Sequence, residues 1–338
     1  VGVIVNPVTP HREVADKCLE KNIQTVTFIC RGKIDFQAIM AIKSYVENHR
    51  IDIVHSHGYK ANLYSLFATI KNSAVKRVAT CHNWLNGNLK MKAYTALDKL
   101  FLRRFDCIVP VSEDVESKIM SAGVNRRKIK RIDNGIAVRR MQRKKSVANL
   151  KNNLGLPSNS MVVGTVGRIS KEKGHRYFLA AALDIVKDHP NLYFLIVGDG
   201  ALKERLEKAY KSSHIIFTGI RKDIENMYSC MDIFILPSLA EGLPMVLLEA
   251  MAYDLPVIAS GVGAIPKIIQ NYKTGLLIKP GETGDIHRAL IFLVEHPEQA
   301  RQMASRGSRK IRTLYSSSRM AAEYMVIYRQ LHNKDLIR

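Results

Sequence analysis

Two basic side chains flank a glycine-rich turn in residues 167–175, which read GRISKEKGH. Arg168 can hold phosphate oxygens through two parallel hydrogen bonds, and Lys173 adds a compact positive charge. Gly167 ends the preceding strand-like run, and Gly174 allows the backbone to approach a ligand closely. A helix that follows this turn adds unpaired N–H groups that favour an anion. The pattern predicts a cradle for phosphate groups, with a solvated basic turn as the alternative.

A second segment, residues 241–249 with the sequence EGLPMVLLE, places two carboxylates with seven residues between them. Glu241 opens a loop, and Glu249 falls in the second turn of the helix that the apolar run predicts. One alternative is that Glu241 caps this helix and Glu249 is a surface charge, but an ionised group in an apolar run needs a partner. The loop residues expected to line a ligand are Gly242, Leu243, Pro244 and Met245.

Each segment follows a short apolar run that reads as a buried strand, and each leads into a helical pattern. The two segments are therefore predicted to be strand-end loops that lie close together. A nucleotide diphosphate-sugar needs cations at its diphosphate and carboxylates at its sugar and ribose hydroxyls. The sequence predicts a site for such a molecule.

Strand-like runs alternate with helical patterns along the chain, which predicts an α/β fold with parallel sheets. Residues 139–153 are basic and poor in large apolar side chains, so they are the predicted linker. We expect a first domain over residues 1–150, a second over 151–318 and a last helix over 319–338. The predicted strands are residues 1–5, 24–29, 53–55, 75–81 and 107–111 in the first half, and 161–166, 193–197, 215–218, 233–236, 257–260 and 275–278 in the second.

The formal charge of +22 is unevenly placed along the 338 residues. Residues 1–150 hold 27 Lys and Arg against 12 Asp and Glu, a net charge of +15, and the remainder carries +7. Such an excess indicates an anionic partner, either a nucleic acid or an anionic membrane surface, unless the basic faces are simply solvated. Residues 84–105 mix aromatic and basic side chains, which suits a helix at a membrane interface and equally a helix packed on a sheet.

Five scattered cysteines lack C-x-x-C pairs, which is typical of a reducing compartment and indicates a cytoplasmic protein. No apolar run reaches transmembrane length, and no signal peptide is visible. The sequence has no D-x-D pair of the kind that holds a divalent cation, so we expect no metal and no cofactor beyond the donor substrate.

Three histidines follow two predicted strands of the first half. His82 stands at the end of one strand, and His55 and His57 bracket Ser56 at the end of another. Three histidines can hold zinc, but no carboxylate or cysteine stands at matching spacing, which argues against a metal site.

Several motifs, in their joint order and spacing, resemble the retaining glycosyltransferases of family 4. The G-R-x-x-x-x-K-G segment, the intervening VGDG at 197–200 and the E-x7-E spacing occur in the family's order. Further matches run from about residue 54 to residue 275 and include VSE at 111–113, DNGI at 133–136 and FTG at 217–219.

The resemblance implies the GT-B fold, in which two Rossmann-like domains face each other across a cleft. It implies transfer of a sugar, with retention at the anomeric carbon, to a lipid-linked or saccharide hydroxyl in cell-surface polysaccharide, lipopolysaccharide or glycolipid synthesis. A basic first domain would then work peripherally on the cytoplasmic face of an anionic membrane, without nucleic acid as a partner.

The resemblance also assigns roles to individual residues. Arg168 and Lys173 are expected to neutralise the leaving diphosphate. Glu241 is expected to orient the sugar hydroxyls, and Glu249 the ribose. Asn134 and Gly135 are expected to line the cleft near the hinge, and His82 to hold the donor sugar. The last helix is expected to cross back to the first domain.

One departure from the family concerns the beginning of the chain. The family's first domain starts with a strand and a glycine-rich loop, whereas Val1 already lies in a strand that resembles the family's second. We therefore expect that an N-terminal segment is missing and that activity of the chain as written is doubtful. An epimerase or phosphorylase on the same fold remains an alternative, and a basic nucleic-acid-binding protein is a weaker one because no recognition motif is present.

Overall fold

A computed structural model describes residues 1–5, 13–32, 34–82, 89–144 and 146–333. The chain forms two compact units: Val1–Asp133 together with Ala321–Arg338, and Asn134–Met320. Both have the α/β architecture with parallel strands that the sequence predicts.

The first unit alternates strands and helices along the chain. Its strands β1 to β5 are Gly2–Val5, Val26–Ile29, Ile53–His57, Lys76–Cys81 and Cys107–Pro110. Its helices α1 to α5 are Glu13–Leu19, Phe36–Asn48, Tyr59–Thr69, Leu89–Leu102 and Glu113–Ser121. Strand β1 pairs in parallel with β2, and β3, β4 and β5 form a second parallel group in that order. The amphipathic pattern of α2 buries Ala38, Ile39, Ile42 and Val46, while the Asp35 side chain caps its first turn.

The second unit repeats this alternation around a larger sheet. Its helix α6 is Ala148–Asn153, and its strands β6 to β11 are Met161–Val166, Leu192–Val197, Ile215–Gly219, Ile233–Leu236, Val257–Ser260 and Leu276–Ile278. Its remaining helices, α7 to α13, are His175–Ile185, Lys203–Ala209, Ile224–Cys230, Met245–Ala252, Ile265–Ile268, Thr283–Glu295 and Pro297–Leu314. Helix α14, Ser317–Asn333, begins in this unit and continues in the first.

The sheet of the second unit has six parallel strands in the order β11-β10-β9-β6-β7-β8. Its central strands are largely apolar and buried along most of their length, as expected where helices pack on both faces of a parallel sheet. The order reverses between β6 and β9, and ligands in such folds bind at the carboxyl ends of the strands beside this switch point.

The boundary between the units lies at Asn134, earlier than the predicted end of the first domain at residue 150. Residues 134–150 belong to the second unit, and one of their basic side chains, Arg143, donates hydrogen bonds within it. Arg143 donates to the Met231 carbonyl oxygen at 2.5 Å and pairs with Asp232 at 3.3 Å. Basic composition therefore indicated a linker where the structure has a packed segment. The last helix joins the first unit from Ala321, two residues after the predicted start of that segment.

This boundary also changes the distribution of charge. The first unit holds 25 Lys and Arg against 14 Asp and Glu, and the second holds 27 against 16, so each carries +11. The excess of positive charge counted in residues 1–150 therefore disappears when the chain is divided at the observed unit boundary. Net charge alone does not mark the first unit for an anionic partner.

Candidate functional site

Four loops meet at the carboxyl edge of the sheet in the second unit. They follow β6, β7, β9 and β10 and cover residues 167–174, 198–200, 237–244 and 261–264. The Leu239 N–H donates to the Glu172 carbonyl oxygen at 2.7 Å, and the Ala264 N–H donates to the Gly242 carbonyl oxygen at 3.0 Å. The two segments singled out in the sequence thus lie side by side.

Glycines allow these loops to come so close. Gly174 has a φ of 66°, and a Cβ atom there would collide with the Pro237 carbonyl oxygen. Gly263, with a φ of 56°, lies in the same way against the backbone of Glu241. Larger residues at either position would separate the loops that bring the cations and carboxylates together.

Lys173 and Glu241 form the centre of the site. The Lys173 Nζ atom lies 2.7 Å from Glu241 Oε1, which also accepts a hydrogen bond from Ser238 Oγ at 2.7 Å. The Glu241 side chain is only 8% exposed and that of Lys173 is 22% exposed. The carboxylate is thus oriented from two sides in a largely dry environment, where such contacts are stronger than in water.

Arg168 is in a different environment from Lys173. Its side chain is 72% exposed and pairs with Glu172 at 3.1 Å, which is a weak surface pair. Gly167, immediately before it, has a φ of 153° and donates its N–H to the Val197 carbonyl oxygen. The predicted pair of cations therefore consists of one oriented lysine and one arginine that is free to turn toward a ligand.

Glu249 lies on α10 and has its own partner. The Tyr228 hydroxyl donates to Glu249 Oε2 at 2.7 Å, and the tyrosine itself is buried. Burial raises the pKa of the Glu249 carboxyl, while the hydrogen bond from Tyr228 opposes that rise. Glu249 is therefore half-buried and hydrogen-bonded to a tyrosine, and it is not the solvated surface charge that was the alternative.

Backbone groups of residues 242–245 complete this edge. Pro244 lies just before α10, so the first N–H groups of that helix lack acceptors within it. Gly242 has open space where a side chain would be. Leu243 and Met245 are partly buried against the apolar core of the unit. The loop is anchored to the core through Leu243 and Met245, while Gly242 remains exposed to solvent.

Asn134 and Gly135 are the first two residues of the second unit. A Cβ atom on Gly135 would lie 2.6 Å from the Ser316 carbonyl oxygen. The neighbouring Ile136 donates its N–H to the Tyr315 carbonyl oxygen at 2.8 Å. Residues 135–136 and 315–316 are therefore held together by backbone contacts. A side chain at position 135 would not fit between them.

His55, His57 and His82 lie close together in the first unit. His57 Nδ1 lies 3.3 Å from His82 Nε2, and the ring of His55 lies 4.6 Å from that of His57. Burial, with the neighbouring imidazoles His57 and His82, lowers the pKa of His55 to about 3. Burial also lowers the pKa of His82, so its ring is neutral near pH 7 and can both donate and accept.

The last helix supports this group within the same unit. The hydroxyl of Tyr328 lies 2.6 Å from His55 Nδ1, and that of Tyr324 lies 2.9 Å from Thr80 Oγ1. Thr80 in turn lies 2.8 Å from His55 Nε2. Within the described ranges, no group of histidine, cysteine or acidic side chains could hold a metal ion.

Sequence comparisons agree with this geometry. The profile for "Glycosyltransferase Family 4" matches residues 2–140, and that for "Glycosyl transferases group 1" matches residues 146–310. An Escherichia coli protein, UDP-Gal:alpha-D-GlcNAc-diphosphoundecaprenol alpha-1,3-galactosyltransferase, is 30% identical over 274 residues, which cover 77% of this chain and 71% of that protein.

The chain belongs to the family 4 glycosyltransferases. The crystal structure of Anabaena HepE with UDP has the same fold, with a TM-score of 0.81 at 18% identity over 97% of this chain and 91% of the other. A glycosyltransferase from Rickettsia africae superposes with a TM-score of 0.82 at 20% identity over 97% and 89% of the two chains. The predicted GT-B fold is confirmed.

The glycosyltransferase assignment also settles the class of activity. The chain is an enzyme that transfers a glycosyl group from a nucleotide-sugar, so the epimerase, phosphorylase and nucleic-acid-binding alternatives are set aside. None of the helices in the described part of this glycosyltransferase is both long and apolar enough to cross a bilayer. Trp84, part of the stretch that suits either a membrane interface or packing on a sheet, falls outside the described residues.

Two polar groups beside the site of this glycosyltransferase were missed by sequence reasoning. His175 begins α7 and is buried, and neither of its ring nitrogens has a hydrogen-bond partner among the described residues. Ser260 Oγ, at the end of β10, is also buried without a hydrogen-bond partner among the described residues. A histidine directly after the Lys173-Gly174 pair was visible in the sequence, but its burial became evident only in the folded unit.

His175 makes the stability of this glycosyltransferase depend on pH. Burial, assisted by the charge of Lys173, lowers its pKa from 6.5 to about 4. The imidazole therefore binds a proton more readily in the unfolded chain than in the folded one. The folded state keeps its full stability above about pH 6.5, and it loses stability as the pH falls toward 4. We expect the free energy of unfolding to drop by roughly 2 kcal/mol between pH 7 and pH 5 through this residue.

Urea unfolding at both pH values measures this effect. His175→Phe should reduce the difference between the two pH values, whereas His296→Phe, which removes an exposed histidine, should leave it unchanged. An unaltered pH dependence in His175→Phe would show that the buried imidazole titrates normally.

Proposed function

We propose that this chain transfers a sugar, with retention of its anomeric configuration, from a nucleoside diphosphate to a hydroxyl of a cell-surface saccharide or glycolipid precursor. The observation that carries the proposal is the Lys173–Glu241–Ser238 cluster, because it holds a cation and a carboxylate side by side in a largely dry loop. The family 4 membership supports the same reading.

In the proposed reaction, the bond between the anomeric carbon and the diphosphate oxygen breaks, and the acceptor oxygen bonds to the same carbon. The acceptor proton passes to the departing diphosphate on the same face of the sugar, so the configuration is retained. Negative charge develops on the diphosphate as it leaves. Arg168 and Lys173 stabilise that charge, which is electrostatic catalysis by groups already in place.

The carboxylates are proposed to bind hydroxyl groups. Glu241 accepts hydrogen bonds from the donor sugar and holds Lys173 in position before the donor arrives. Glu249, oriented by Tyr228, accepts hydrogen bonds from the ribose. Backbone N–H groups of Gly242 to Met245 contact the donor, and Asn134 with Gly135 lines the approach. On the first unit, His82 is proposed to bind the donor sugar through its neutral ring, which His57 orients.

The acceptor class is suggested by relatives. The E. coli relative acts on a diphosphoundecaprenol-linked sugar, and a 26% identical Rhizobium meliloti protein is a lipopolysaccharide core mannosyltransferase. We propose a lipid-linked or saccharide acceptor here, reached by peripheral binding of the cytoplasmic enzyme to an anionic membrane. Such binding weakens as salt screens the attraction between cations and headgroups.

A transfer assay in a chelator tests the proposed charge stabilisation. Because Arg168 and Lys173 supply the positive charge, we expect acceptor-dependent release of nucleoside diphosphate to continue at an unchanged rate in excess EDTA. The anomeric configuration of the product is read by NMR on the same samples. Loss of transfer in EDTA with recovery in magnesium or manganese would contradict metal independence, and an inverted product would contradict retention.

A further inference from the structure

Exposed apolar side chains are concentrated in the first unit. Of the nineteen large apolar side chains exposed within the described ranges, sixteen lie in that unit. The second unit, which is larger and carries the same net charge, contributes Ile220, Tyr272 and Leu314. The two units therefore differ in the number of exposed apolar side chains and not in net charge.

Six of these side chains form stripes on three helices. On α2, Phe36 and Met40 are one turn apart, and Lys43 and Glu47 continue that face. On α3 and the residue after it, Phe67 and Ile70 share a face. On α4, Leu97 and Leu100 share a face with Phe101. Spacings of three and four residues place such side chains on one side of a helix.

The three stripes make one continuous surface. Helix α3 packs against both α2 and α4. The Phe67 ring meets the Phe101 ring edge to face at 5.7 Å, which connects α3 to α4. Met40, Phe67 and Ile70 line one shared hollow, which connects α2 to α3. We call this α2–α3–α4 surface, with its six exposed apolar side chains, the apolar face.

Basic side chains border the apolar face. Lys71 and Arg104 are exposed, and they follow Phe67 and Leu100 by four residues, just beyond the ends of α3 and α4. Lys71 also lines the hollow that Met40, Phe67 and Ile70 share. Lys43 on α2 pairs loosely with Glu47 at 3.8 Å. Arg103 is different, because its guanidinium donates to the Ala122 carbonyl oxygen at 2.7 Å and so ends α5. Charge reversal at Arg103 would therefore disturb the fold, and Arg104 is the better probe.

We infer that the apolar face, with Lys71 and Arg104 at its edge, is the surface by which the enzyme lies on an anionic lipid bilayer. Aromatic and aliphatic side chains beside lysine and arginine match the boundary between acyl chains and anionic headgroups. This inference rests on the proposed membrane function and specifies the surface that carries it. It replaces the net charge of residues 1–150 as the basis for membrane binding.

Vesicle co-sedimentation of the full chain tests the inference. We expect binding to vesicles of equal parts phosphatidylglycerol and phosphatidylcholine, and little binding to phosphatidylcholine alone. Leu97→Gln with Leu100→Gln should weaken binding by about tenfold or more, because two exposed leucines lose their contact with lipid. Lys71→Glu with Arg104→Glu should weaken it to a similar degree at low salt. The matched control is Ile220→Gln with Leu314→Gln, which changes exposed apolar residues of the second unit and should have no effect.

Donor affinity, measured by calorimetry on the same proteins, separates this inference from the proposed function. Unchanged donor affinity with lost vesicle binding supports the apolar face. Vesicle binding without any nucleotide-sugar affinity would contradict the proposed function and leave the surface in place. Equal vesicle binding by all variants would overturn the inference. A monomer–dimer equilibrium that only Leu97→Gln with Leu100→Gln abolishes, without vesicle binding, would overturn it in favour of a second copy of the chain.

Discussion

Lys173→Ala is expected to lower the rate of sugar transfer by about a hundredfold to a thousandfold. The reason is that Lys173 lies in a loop beside the buried Glu241 carboxylate and is proposed to supply positive charge where the diphosphate leaves. Loss of a single preorganised group that stabilises developing negative charge typically has an effect of about this size. Steady-state kinetics with a nucleotide-sugar measure the change.

Stability should distinguish Lys173 from Arg168, although both residues belong to the same segment, 167–175. Removing Lys173 leaves the Glu241 carboxylate without its cation. The free energy of unfolding should fall by an amount between the roughly 0–1 kcal/mol of surface pairs and the roughly 3–5 kcal/mol of buried pairs. Arg168→Ala removes only an exposed pair with Glu172 and should leave the unfolding free energy unchanged. Lys173→Met with Glu241→Gln should restore part of the stability without restoring transfer.

Lys171→Ala is the matched control for Lys173. Lys171 lies in the same short 3-10 turn, Lys171–Lys173, and is exposed. We expect it to change neither transfer nor stability. Near-normal transfer in both Arg168→Ala and Lys173→Ala would show that these residues do not hold the diphosphate.

Glu241→Gln and Glu249→Gln are expected to fail in different ways. Glu249→Gln should weaken nucleoside diphosphate binding by about tenfold or more, because the proposed charged acceptor for the ribose hydroxyls is lost. Glu241→Gln should leave that affinity intact, since its proposed partner is the transferred sugar, while lowering the rate of transfer. Calorimetry with the nucleoside diphosphate, followed by kinetics, measures both properties.

Two further variants control this comparison. Tyr228→Phe removes the hydroxyl that orients Glu249 and should reproduce a weaker form of the Glu249→Gln defect. Glu204→Gln, an exposed glutamate of the same unit, should behave as the wild type. Equal loss of nucleoside diphosphate affinity in Glu241→Gln and Glu249→Gln would refute the division of roles.

The strands and their parallel arrangement could be predicted from sequence because buried parallel strands are continuous apolar runs. Met161–Val166 and Ile233–Leu236, for example, have the predicted limits. The loops after them were also identified, since glycine and charged residues interrupt the apolar runs sharply. Such local patterns are set by neighbouring residues, which a single sequence displays.

Pairings across long sequence distances could not be predicted in the same way. The Lys173–Glu241 ion pair joins residues 68 positions apart, and Tyr228 reaches Glu249 across 21 positions. Both depend on how helices and strands pack. The same applies to residues 134–150, where Arg143 looked like part of a solvated linker but donates to backbone oxygens of the second unit. The side chains that hold Lys173 and Glu249 in place are therefore found only in the folded unit.

Calorimetric titration of the full chain with UDP and with UMP tests the central claim most directly. If the loops at residues 167–175 and 241–249 hold a diphosphate, UDP should bind at least about tenfold more tightly than UMP, because Lys173 and Arg168 contact the additional phosphate. That preference should shrink in Lys173→Ala and persist in Lys171→Ala. Equal affinities for UDP and UMP in the wild type, or an unchanged preference in Lys173→Ala, would contradict the assignment of this site.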